Sequence, residues 1–130
     1  MNICLILAFI LSTMAFLVHT FVGDRELRFI EPKAADGKAV SLSTWTMARC
    51  GWHWISIDLL MASIGLGLAI WSNLPYRTFL LQLFAGYFLL YGAIWLVVIF
   101  ISRSFKNNYL RLGQWMLLWV IGVLVWSGTL

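Results

Sequence analysis

The chain carries very little charge. Only 11% of its 130 residues are Asp, Glu, Lys or Arg, against roughly a quarter in a soluble domain, so it cannot assemble an ordinary water-facing surface. Cysteine is nearly absent too. Cys4 and Cys50 open the first two apolar runs, and one crossing between them puts them on opposite membrane faces, roughly 30 Å apart and too far for a disulfide. Neither belongs to a C-x-x-C pair, which argues against thiol-redox chemistry. Proline occurs at Pro32 and Pro75 alone, both between apolar runs, where it ends a helix instead of kinking one. No basic stretch precedes the first apolar run and no small-residue cleavage site follows it, so neither a secretory signal peptide nor a lipoprotein leader is expected there.

What is present in quantity is apolar length: 62% of the residues are hydrophobic. Four runs, at about 2–22, 50–72, 78–102 and 112–130, hold at most one formal charge each and approach the roughly 20 residues that a hydrocarbon core demands. The expectation is an all-α, polytopic membrane protein, residues 1–130 forming a single membrane domain folded as a four-transmembrane-helix bundle. The one sizeable segment outside the runs is 23–49. Gly23 should break the first helix, Pro32 should stop any helix that follows, Asp36-Gly37 reads as a turn, and Ser43 or Thr44 is placed to cap the second helix. Such a layout leaves no room within these residues for a soluble catalytic domain, and the net charge of +4 reads as a topology signal, with the lipid bilayer and not nucleic acid as partner.

The basic residues are unevenly distributed. Arg25, Arg28, Lys33, Lys38 and Arg49 follow the first run and Arg103, Lys106 and Arg111 follow the third, whereas Arg77 stands alone between the second and third. In a bacterial inner membrane this bias puts loops 23–49 and 103–111 in the cytoplasm and both chain ends in the periplasm. Trp52 and Trp54 would then belong to the cytoplasmic aromatic belt, and Trp71 and Trp126 to the periplasmic one.

The second helix carries most of the residues that could do chemistry. On a helical wheel Arg49, His53, Ser56 and Leu60 share one face, while Asp58 lies opposite with Trp54, Ala62, Gly65 and Ala69, a stripe small enough for another helix to approach. His19 and His53 are each about three residues from the same side of the membrane. They could ligate haem b or contribute to a divalent-metal site, or simply bond backbone and the nearby Asp24, Glu26 and Arg49. Asp58 lies roughly 13 Å beyond Arg49, where an ionised aspartate costs about 3 kcal/mol. It is a candidate proton or cation site, sharing a polar lining with Ser63 and Gln82, or else a hydrogen-bonding group between helices. Arg49 and Arg25 suit contact with a lipid head group or another anion.

Two aromatic arrays complete the inventory. Tyr87, Tyr91 and Trp95 form a ridge on the third helix, read as packing or lipid contact, and Gln82 with Gly86 runs along another line. Trp115, Trp119, Gly122 and Trp126 share one face of the fourth helix, wide enough to dock a neighbouring membrane subunit.

At HTFVGDR and RCGWHWIS the chain resembles a group of small four-helix bacterial membrane proteins of uncharacterised function. Their pattern H-x3-G-[DE]-R ends the first helix and R-x2-W-H-x2-S opens the second. Here those positions are His19, Gly23, Asp24 and Arg25, then Arg49, Trp52, His53 and Ser56. The resemblance covers the first half of the chain and implies that the two histidine-bearing helix ends form one shared feature. Small multidrug transporters, fluoride channels and C-x-x-C quinone-linked oxidoreductases fit the residues less well.

Three functional readings follow. The first is a non-enzymatic accessory or assembly subunit of a larger membrane complex, or a homo-oligomer. The second is a small proton- or cation-linked transporter or channel using Asp58. The third is a haem- or metal-binding electron-transfer element using His19 and His53.

Overall fold

A computed structural model of the chain describes residues 2–32, 41–102 and 108–130, and these are all-helical. Lys33, Lys38 and the Asp36-Gly37 turn, together with Arg103 and Lys106, lie outside the described residues. Helix α1, Ile3–Leu17, passes into a π-helical stretch, Val18–Gly23, and continues as α2, Asp24–Phe29. Helix α3 is Leu42–Trp71 and α4 is Arg77–Ser102. A short α5, Asn108–Arg111, precedes α6, Gln114–Ser127. Three helical stretches, Ile3–Phe29, Leu42–Trp71 and Arg77–Ser102, are long and apolar enough to cross a membrane.

The first two spans differ from expectation in one respect: both are longer than their apolar runs. Gly23 does not break the first helix; it lies inside it, buried, with the Trp52 ring occupying the space a Cβ would need. The second helix starts at Leu42, eight residues before its apolar run. Its cap is Ser41 instead of Ser43 or Thr44, the Ser41 hydroxyl accepting the Thr44 N–H at 3.2 Å. Trp45 explains why the extension is ordered: it is buried and donates its indole N–H to the Leu27 carbonyl at 3.2 Å. Side-chain contact beyond the apolar runs thus lengthens both helices, which hydropathy alone does not register.

Contacts divide the chain into two compact units, one of residues Ser12–Ser63, the other of the chain up to Leu11 together with Ile64–Leu130. The first is a hairpin. In the second, Leu5, Ala8, Leu66, Ala69, Leu81, Ala85, Phe88, Ile121 and Val125 are buried. There the Arg77 guanidinium donates through Nε to the Ala69 carbonyl, satisfying an acceptor in the last turn of α3. Between α3 and α4 the chain reverses through Pro75 and Tyr76, and Tyr76 takes φ 60°.

Helices α4 and α6 pack closely because glycines let them. The Trp119 ring occupies the space beside Gly92, and Leu89 lies against Gly122. Indole N–H groups close the contact on backbone acceptors, Trp119 to Leu89 O at 3.2 Å and, from α4 itself, Trp95 to Leu112 O at 3.0 Å. Tyr87 and Tyr91 lie against each other along α4, ring centroids 4.4 Å apart and planes tilted by 38°.

Candidate functional site

The hairpin of residues 12–63 is joined by a ladder of polar side chains. Ser63 donates to the Leu59 carbonyl at 2.8 Å, so its oxygen receives the Ser12 hydroxyl at 3.0 Å. One heptad further along each helix, in opposite chain directions, His19 Nδ1 and Ser56 Oγ are hydrogen-bonded at 3.1 Å. Matching heptads are what an antiparallel helix pair in register requires. The third rung is Asp24, which is buried. Its Oδ1 accepts Arg49 Nε at 2.7 Å and His53 Nε2 at 3.1 Å, while Oδ2 accepts Arg49 Nη2 at 3.1 Å. Arg28 Nη2 also lies 3.1 Å from Oδ2.

Between the second and third rungs an aromatic stack joins the two helices. His19 and Trp52 lie face to face, centroids 4.0 Å apart and planes 6° from parallel, and the Trp52 indole donates to the His19 carbonyl at 2.9 Å. Gly23 supplies the room for that ring. The π-helical stretch supplies the phase: Asp24 follows His19 by five residues, which in an α-helix would carry it about 140° past a full turn, whereas i→i+5 bonding brings it back toward α3. The buried Thr20 hydroxyl in this stretch has no hydrogen-bond partner among the described residues.

Set against expectation, the structure brings together His19, Trp52 and Ser56, and separately Asp24, Arg49 and His53. Both histidines thus belong to the hairpin, each with a partner of its own, and no cluster of three or more His, Cys, Asp or Glu suited to a metal occurs among the described residues. Arg25 is not on the carboxylate; its guanidinium lies over the Phe29 ring, 5.8 Å from the centroid. Arg28 takes the place next to Asp24. Its i,i+4 spacing from Asp24 was the available signal, obscured because Arg28 also served as a topology charge.

The remaining candidates are more dispersed. Ser63 faces Ser12, Asp58 is half-buried, and Gln82 is exposed on α4. Trp54, placed on the same stripe as Asp58, is 74% exposed, and Trp52 is stacked on His19. Trp119 and Gly122 make their contact with the chain's own α4, Trp115 donates its indole to the Tyr109 carbonyl at 3.0 Å, and Trp126 is about half exposed. Cys4 and Cys50 are both free thiols.

Compared with protein families, with curated proteins and with solved structures, the chain finds no match in any of the three.

Proposed function

We propose that the chain is a four-helix protein of a bacterial inner membrane that works without catalysis of its own, as an accessory or assembly subunit of a larger membrane complex or as a homo-oligomer. The observation that supports this reading is α6. Its 14 residues extend about 21 Å, short of the roughly 30 Å hydrocarbon core, and it leaves Trp119 and Trp126 39% and 48% exposed. A short span in lipid is stabilised by a neighbour that covers its flank, and half-exposed tryptophans suit such a contact.

The orientation that accompanies this reading has both chain ends in the periplasm and residues 23–49 and 103–111 in the cytoplasm, on the strength of the eight basic residues that follow the first and third runs. The hairpin fits the resemblance to the small four-helix group, since every motif position except Arg25 takes part in the ladder or in the stack beside it.

The test is gentle purification in detergent, with the eluting particle sized, its chains identified and its absorption spectrum and metal content measured. The expected result is a colourless particle heavier than one chain. A colourless monomer overturns the reading. A Soret band or bound metal would move the function to His19 and His53, and flux that is lost in Asp58→Asn would move it to ion transport.

A further inference from the structure

We infer that Arg28 and Arg49, held on one carboxylate oxygen of Asp24, form a binding site for a phosphate anion at the membrane surface. The pairing sets the geometry. Nη2 of each guanidinium lies 3.1 Å from Asp24 Oδ2, so the two nitrogens are at most twice that distance apart. A tetrahedral phosphate, with oxygens on several sides, can bridge two forks at such a spacing, and guanidinium is the side chain that matches it.

Donors remain available after Asp24 is served. Asp24 contacts Arg49 through Nε and one Nη and Arg28 through one Nη, and each guanidinium has five N–H groups. Asp24 holds both guanidiniums and Glu31 also acts on Arg49 through its charge, so the site rests on the unused N–H donors and not on an excess of charge. The side chains are reachable, Arg28 being 59% and Arg49 32% exposed. Asp24 also fixes both forks in advance, so the cost of ordering them is met before a ligand arrives. Glu26 lies two residues from Asp24, on the other side of α2.

Depth selects phosphate over other anions. Helix α3 has 30 residues, about 45 Å against a hydrocarbon core of roughly 30 Å, and its polar end, with Ser43, Thr44, Thr46 and Arg49, is where the excess falls. Arg49 then sits at head-group level, where its guanidinium also lies over the Trp45 ring, 5.5 Å from the centroid. Phosphate is the abundant anion at that depth. The source is either a lipid phosphodiester or free phosphate, and the experiment separates them.

The full chain, purified in detergent, is exposed to matched phosphatidylglycerol and phosphatidylcholine, and retained lipid is counted by native mass spectrometry, with and without millimolar inorganic phosphate. The wild type should retain the anionic lipid preferentially. Arg28→Gln should weaken that retention about tenfold, Arg28→Lys should recover part of it, and Arg111→Gln, an equal change of charge elsewhere, should leave it intact. Near-UV circular dichroism checks that each variant is folded. Displacement of the lipid by inorganic phosphate assigns the site to the free anion, and resistance assigns it to the head group. Equal retention of both lipids with no phosphate binding, or equal losses in Arg28→Gln and Arg111→Gln, overturns the proposal. Because it rests on the membrane reading, wild-type chain that fails to fractionate with membranes identifies failure of that reading instead.

Discussion

In the hairpin of residues 12–63 two helices meet through side chains that bond one another; in the α4–α6 pair they meet where side chains are missing. Ser12 with Ser63, His19 with Ser56 and Asp24 with Arg49 and His53 are directional contacts, each satisfied in one register only. Gly92 and Gly122 contribute no directional contact, only room for Trp119 and Leu89. In lipid there is no hydrophobic force to press helices together, so association relies either on polar bonds or on close packing. This chain uses both, with Gly23 admitting Trp52 in the hairpin and Trp119 bonding Leu89 O between α4 and α6, but the balance differs between the two regions. The ladder specifies which residues face each other, and the glycine contacts specify how near the backbones come.

The largest effects should come from the positions where packing is tightest. Gly92→Val and Gly23→Val each put a branched side chain into the space of an indole ring, Trp119 in one case and Trp52 in the other. Each should cost about 3 kcal/mol, the upper part of the range for overpacking, in unfolding followed by near-UV circular dichroism in detergent. If Gly23→Val were as mild as an exposed substitution, the hairpin would be polar bonding alone.

Asp24→Asn sharpens the comparison from the other side. The isosteric amide keeps the shape but cannot balance Arg28 and Arg49, so the hairpin should lose thermal stability and its amides near α2 should exchange faster with solvent. The α4–α6 pair should exchange as before. Uniform acceleration along the chain would mean that the two regions unfold as one.

Smaller and more equal losses belong to single neutral bonds. Trp119→Phe removes the indole bond to Leu89 and should cost about 1 kcal/mol, and Ser12→Ala removes the bond to Ser63 at about 0.6 kcal/mol, the average for interhelical bonds in a membrane protein. Unfolding curves that ranked Ser12→Ala above Gly92→Val would invert the division drawn between the two regions.

Much of the hairpin was legible in the residues. The spacing of Arg49, His53 and Ser56 placed them on one face, and the topology put His19 and Asp24 near them. What the spacing could not reveal was pairing, because pairing depends on a register that a π-helical stretch alters without any residue type that signals it. Spacing alone does not show that Ser63 bonds Ser12, or that Arg28 and not Arg25 lies on Asp24. Gly23 had two meanings in sequence, a helix end or a close approach, and only the position of Trp52 decides between them. The helix ends escape hydropathy for a related reason: Trp45 and Ser41 order residues that hydropathy assigns to a loop.

The wide turn between Val18 and Gly23 also sets how the two motifs tolerate changes in length. With five residues from His19 to Asp24 the acid is in phase only because the turn is loosened. Were Thr20, whose hydroxyl finds no partner among the described residues, deleted, an ordinary α-helix would bring the acid within about 40° of the histidine's direction. One residue more would carry it to the far side. The site is therefore forgiving of a shorter spacer and closed to a longer one, an asymmetry that follows from helical phase and not from any residue's chemistry.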